Sequence, residues 1–162
     1  LSNFIHIHYK ENIFSKNGWS SDDFIDLLNS FKHLNYNTIF TSDLGNFSYH
    51  NKFLSTFSNL NFNNNISNLN VKSRIHYFHN INTQDLFKLI DLSNVVIAPH
   101  GAMSVLASYL NKSVIDIFDT NVKSNSFHEF RPKNFNYKFL ILTNDKNKVK
   151  NKILNYLNEI KF

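Results

Sequence analysis

Apolar and polar positions along the chain fall into short strand-like runs separated by longer stretches of helical period. Phe4-Ile5-His6-Ile7-His8-Tyr9 alternates, as a strand does. Residues 10–19 read as a polar loop. Ser20 or Ser21 is placed to cap a helix, with Asp22 and Asp23 in the first turn, where the helix dipole favours anions. Phe24, Leu27, Leu28, Phe31 and Leu34 then recur at helical spacing. Asn37-Thr38-Ile39-Phe40-Thr41 predicts a second strand. The stretch 47–60 predicts a weaker helix through Phe47, Phe53, Leu54, Phe57 and Leu60, and 61–73 a loop of low complexity. A third strand is expected over 74–78, then a short helix capped by Thr83 and carried by Leu86, Leu89 and Ile90. Val95-Val96-Ile97-Ala98 is the most apolar run, and its lack of alternation predicts burial on both faces, as in a parallel sheet. A helix over 101–110, a strand over 113–118, a polar loop over 119–136 and a short strand over 139–142 follow. Asp145 caps a last helix with Val149, Ile153, Leu157 and Ile160 on one face.

Strand–helix alternation repeated about five times predicts an α/β fold: a doubly wound, Rossmann-like parallel sheet of about five to six strands with helices on both faces. Neither a repeat nor a linker interrupts the 162 residues, so 1–162 reads as a single domain.

Composition narrows the function classes. A hydrophobic fraction of 42% with 15% aromatics excludes bulk disorder. No apolar run is long enough for a transmembrane helix, and no basic segment leads into an apolar one as in a secretory signal. The chain begins at Leu1, which fits one part of a longer protein. Its 28 Asn, with abundant Lys, Ile, Phe and Tyr, match an AT-rich codon usage; a prion-like tract is the alternative, but Phe, Leu and Ile break the Asn runs. The net charge of +5 comes from 15 Lys and only 2 Arg, a poor footprint for nucleic acid, which clusters its cations and favours Arg. A diffuse positive field suits an anionic ligand such as a nucleoside diphosphate. With no Cys there is no disulfide, thiolate metal site or Cys nucleophile, which fits a cytoplasmic setting.

Ligands of open parallel sheets bind beyond the carboxyl ends of the strands. Ala98-Pro99-His100-Gly101-Ala102-Met103-Ser104 follows the most buried strand, opens a helix, and holds one of only three glycines. Gly101 permits a sharp turn and close approach, the helix start offers unpaired N–H groups to a phosphate, and His100 and Ser104 can donate to the same anion. The plain alternative is a tight βα turn with a solvated histidine. A second candidate is the loop after the first strand, with Lys10, Glu11, Ser15, Lys16, Asn17, Gly18 and Trp19, where a lysine can neutralise phosphate and Trp19 either packs the loop or stacks on a ring. His6 and His8 share a strand face but lack an evident third metal ligand, so no metal is expected. Asp43, Asp116 and Asp119 lie at strand exits, as sugar-binding carboxylates or as turn caps. No GxGxxG, P-loop, GxSxG or Ser-His-Asp set is present.

The order of these pieces resembles the carboxyl-terminal, donor-binding half of GT-B glycosyltransferases. Lys16 ahead of Trp19-Ser20 and a capped helix at Asp22-Asp23-Phe24 is similar to glycosyltransferase family 9, the heptosyltransferases. The likeness continues through Leu86-Phe87-Lys88-Leu89-Ile90, Asn94-Val95-Val96-Ile97 and 111–118. That family has an Asp–Thr/Ser–Gly turn with a His three residues on; here the turn is Pro99-His100-Gly101, with Ser104 at the position of that His. The His100-Gly101-Ala102 step instead resembles glycosyltransferase family 61. The resemblance implies a bacterial, cytoplasmic enzyme of polysaccharide or lipopolysaccharide assembly. Its donor diphosphate and sugar would be held by Lys16, His100, Gly101, Ala102, Ser104 and Asp119, with Lys16 and His100 stabilising the leaving diphosphate. The nucleotide sugar is a substrate and no cofactor is implied. The glycan or lipid-linked acceptor and the catalytic base would belong to an amino-terminal half outside these residues, peripheral to the membrane. The competing class is a non-catalytic α/β module that binds a nucleotide, an anion or a partner protein.

Overall fold

The computed structural model describes residues 3–34, 36–43, 48–60, 75–120 and 136–160. They build strands β1 (Phe4–Tyr9), β2 (Asn37–Ser42), β3 (Ser58–Leu60), β4 (Ile75–Phe78), β5 (Val95–Pro99), β6 (Ser113–Phe118) and β7 (Tyr137–Ile141). The helices are α1 (Glu11–Lys16), α2 (Ser21–Ser30, continued by one 3-10 turn over Phe31–His33), α3 (His50–Thr56), α4 (Thr83–Leu92), α5 (Ala102–Tyr109) and α6 (Lys146–Glu159). All strand pairs are parallel, in the order β3-β4-β2-β1-β5-β6-β7. Leaving aside the three-residue edge strand β3, this is the doubly wound order in which the sheet grows outward in both directions from β1.

The predicted α/β sheet is therefore present, with one strand more than expected. The sequence places 58–60 at the end of a helix. The helix instead stops at Thr56, where Phe57 turns extended (φ −121°, ψ 155°), and the next three residues pair with β4. Thr, Ser and Asn hold a helix end weakly. Two more expectations are corrected. The stretch 10–19 is not all loop but contains α1. The cap of α4 is Asn82, whose side chain accepts from the Asp85 amide, not Thr83. Ser20 caps α2 in a reciprocal box with Asp23, and Asp145 caps α6. The expected loop over 61–73, Arg74, Phe47 and most of the loop after β6 lie outside the described residues.

The two faces of the sheet differ in chemistry. Ile5, Ile7 and Tyr9 of β1 join Val95, Ile97, Ile115 and Ile117 in the main core, covered by Phe14 of α1, Phe24, Leu27 and Leu28 of α2, Phe53 of α3, and Val149, Ile153 and Leu157 of α6. Aromatic rings dominate there, with Tyr9 against Phe14, Phe24, Tyr49 and Phe53 at centroid distances of 4.5–5.3 Å. The other face, under α4 and α5, has smaller clusters around Val96, Ala98 and Val114 and around Phe4, Ile39 and Phe78. Strand alternation also puts His6, His8, Thr41, His76 and Asp116 on this second face, all buried.

Candidate functional site

The connection after β1 runs to α1 on the aromatic face, and the connection after β5 runs to α5 on the opposite face. β1 and β5 are neighbours, so their carboxyl ends diverge and leave a crevice between them, the place where open parallel sheets receive ligands. A cavity of about 810 Å³ opens at this edge. Its walls include His8 at the end of β1, Lys10 and Ser15 beside and on α1, Asp43 beyond β2, Thr83 at the start of α4, and Met103 in the first turn of α5.

Lys10 enters no ion pair among the described residues. It lines the cavity together with the carboxylates of Glu11 and Asp43. Behind it runs a chain of polar groups. His6 Nε2 and His8 Nδ1 each lie 2.9 Å from the Thr41 hydroxyl, and His8 Nε2 lies 3.4 Å from Asp43 Oδ1. Burial, helped by the nearby His8, pushes His6 down to about 3, so its ring is neutral. The Thr41 hydroxyl thus bridges the two rings, with Asp43 at the outer end of the chain. His6 Nδ1 is buried and has no hydrogen-bond partner among the described residues. The expectation that His6 and His8 share a face holds, and the group between them is a hydroxyl.

The Gly101 turn forms the next part of the edge. Gly101 has φ +155° and ψ −155°, a region open essentially to glycine alone, and nothing lies within 4 Å of where a Cβ would stand. Ser104 is fully buried; its Oγ accepts from the Gly101 amide (3.2 Å) and donates to the Gly101 carbonyl (3.0 Å). The hydroxyl expected to meet an anion thus holds the turn instead, because the helix start folds it back under Gly101. Ala102 opens α5. His100 is tied by its amide to the Ile117 carbonyl (2.8 Å), by Nδ1 to Asp116 Oδ2 (2.7 Å), and by stacking on Phe118 (4.4 Å between ring centroids, 18° between planes).

Lys16 and Asp119 lie elsewhere on the same edge, each next to Asn17. Lys16 lines a smaller cavity of about 570 Å³ with Asn17, Gly18, Thr120 and Asn144. Asn17 donates to Asp119 Oδ1 (3.3 Å) and accepts from the Thr120 hydroxyl (2.9 Å). The six predicted site residues therefore fall in two places, the turn at 100–104 and the surroundings of Asn17, which follows Lys16 and bonds Asp119. Neither Lys16 nor His100 lines the large cavity; Lys10 does. The last turn of α1 explains the placement of Lys16. Gly18 (φ +74°) sends its amide to the Ser15 carbonyl and the Trp19 amide to that of Phe14, with the Trp19 ring against Phe14 (5.7 Å). Trp19 is buried and its Nε1 donates to the Thr143 carbonyl at 2.7 Å, so it packs the loop down. The sequence signals a loop over 10–19, so it does not distinguish Lys10, at the start of α1, from Lys16 at its end. His8 and Asp43 were visible as strand-end residues but not as a pair.

Comparison with known protein families and with curated proteins matches none. Solved structures do match in fold. The E. coli ADP-heptose LPS heptosyltransferase II superposes with a TM-score of 0.61 at 13% identity, over 98% of this chain and 47% of that one. The E. coli heptosyltransferase WaaC, solved with ADP, superposes with a TM-score of 0.62 at 9% identity, over 96% of this chain and 44% of that one. The chain shares the glycosyltransferase-like α/β fold of these proteins and spans about half their length.

Proposed function

We propose that the chain is the donor-binding half of a glycosyltransferase and takes a nucleotide sugar at the crevice between β1 and β5. The observation that carries this is the coincidence of three things at one edge: the divergence of the strands, the 810 Å³ cavity, and a lysine there without an ion-pair partner among the described residues. Lys10 faces the diphosphate, the Gly101 turn admits it closely, and the first amides of α5 add positive potential. His100, Lys16 from the neighbouring cavity, and Asp119 beside it border the same edge and serve the sugar and the leaving diphosphate. Asp43 and His8 provide the polar wall.

Transfer needs an acceptor and a base, which this reading assigns to a second half of the protein. The acceptor class is a glycan or lipid-linked saccharide of a bacterial surface polymer, met at the cytoplasmic side of the membrane. The donor is a substrate, and no cofactor enters the scheme. ADP, present in one fold neighbour, is the first ligand to try. At 100 times its dissociation constant a ligand stabilises the folded state by about 2.7 kcal/mol. A panel of nucleoside diphosphates and their sugars should raise the melting temperature by several degrees, and a flat panel would remove the donor-binding reading. A non-catalytic nucleotide-binding module is the second reading, favoured by the separation of Lys16 from the large cavity. It predicts the same shift without sugar transfer in the full-length protein.

A further inference from the structure

The costliest group near the site is Asp116. It stands on β6 between Ile115 and Ile117, fully buried, and shares its face with Val114 and Phe118. A carboxylate removed from water is destabilising unless donors replace the lost hydration. Only Oδ2 receives them: His100 Nδ1 at 2.7 Å and the Tyr137 hydroxyl at 2.7 Å. Oδ1 has no hydrogen-bond partner among the described residues. A valine at this place would fill the face without that cost. Of the two donors, Tyr137 is itself buried, whereas the His100 side chain keeps 24% of its surface exposed beside the Gly101 turn.

We propose that Asp116, oriented by Tyr137, is a positioning residue that fixes the tautomer and direction of the His100 ring. An ionised carboxylate only accepts, so the neutral ring carries its proton on Nδ1, and Nε2, across the ring, is turned away from the sheet. Isolated histidine side chains favour the opposite tautomer, so the buried carboxylate imposes a choice the ring would not make alone. Phe118 fixes the ring plane and the Ile117 carbonyl fixes the backbone. Orientation, plane and proton are thus set before any ligand arrives, which is how a polar contact to a charged group gains strength at low reorganisation cost. That the ligand is a diphosphate rests on the proposed function; the tautomer does not.

The test is nitrogen-15 imidazole spectroscopy of the ligand-free full-length protein, at a pH where the ring is neutral, together with ADP affinity. His100 should show a protonated Nδ1 and an unprotonated Nε2. The double substitution Asp116→Val with Tyr137→Phe removes the buried charge and also the hydroxyl it would orphan. It should leave the melting temperature unchanged or raised, move the proton to Nε2, and weaken ADP binding about tenfold. A wild-type ring with its proton on Nε2 overturns the proposal whether or not the double variant folds. So does a double variant that loses stability while keeping the Nδ1 tautomer. If the tautomer behaves as stated and wild-type ADP binding is absent, the positioning role stands and the donor-binding reading falls.

Discussion

The hydroxyl of Ser104 closes on both polar ends of Gly101, accepting from its amide at 3.2 Å and donating to its carbonyl at 3.0 Å. A turn in the glycine-only region is thereby held from beneath by a side chain with no exposure at all. Ser104→Ala should leave the Gly101 amide without its acceptor and cost about 1–3 kcal/mol of stability. Chemical denaturation measures this, and a loss within error would show that the turn holds itself.

Gly101→Val separates strain from space. No atom lies within 4 Å of the added Cβ, so the substitution creates no overlap at that atom, but φ +155° is unsuited to valine. A stability loss of about 1–3 kcal/mol follows from the backbone alone. Loss of nucleotide binding should accompany it, because a side chain then occupies the opening through which the diphosphate reaches the turn. Retained affinity in a folded variant would place the diphosphate elsewhere.

Acid should weaken the fold through the polar face of the sheet. Burial holds His6 at about 3, and burial also lowers His76. An unfolded histidine titrates near 6.5. Below that value the unfolded chain takes up protons that the folded rings refuse, so the stabilising contribution is complete above about 6.5 and is lost as pH falls toward 3. The His6 ring adds a slope of up to about 1.4 kcal/mol per pH unit in this window. Unfolding free energies from pH 4.5 to 8 should show the decline, and His6→Leu should flatten it. An unaltered slope in that variant would assign the acid sensitivity to other groups.

The two lysines of the first connection should behave differently. Lys10 lines the large cavity and Lys16 the small one. Lys10→Ala should weaken ADP binding about tenfold and reduce its sensitivity to salt, while Lys16→Ala should have the smaller effect on ADP. The reverse order, measured by calorimetry at two salt concentrations, would move the diphosphate toward Thr120 and Asn144.

Most of the fold was legible because each strand is short and each main helix repeats its apolar residues on one face. Val95-Val96-Ile97-Ala98 declared a central strand, and Val149, Ile153 and Leu157 a helix stripe, before any contact was known. The six-residue helix α1 and the three-residue edge strand β3 were not legible. Helix α1 has one fully buried residue, Phe14, and its end is set by the Gly18 turn rather than by periodicity. The strand β3 owes its place to pairing with β4, which no local signal announces. For the site, the Gly101 turn stood out because glycine is scarce. The pairs His8–Asp43 and His100–Asp116 did not, since each joins a strand residue to one just past the end of another strand, and only the sheet register brings them together.

The most direct test of the crevice as the donor site is a titration of ADP into the protein, followed by residue-resolved amide chemical shifts. The crevice predicts saturable shifts concentrated at Lys10, Asp43, Gly101, Ala102 and Met103, with Asn144 and Thr120 less affected. Absence of saturation, or shifts centred away from these residues, would contradict it.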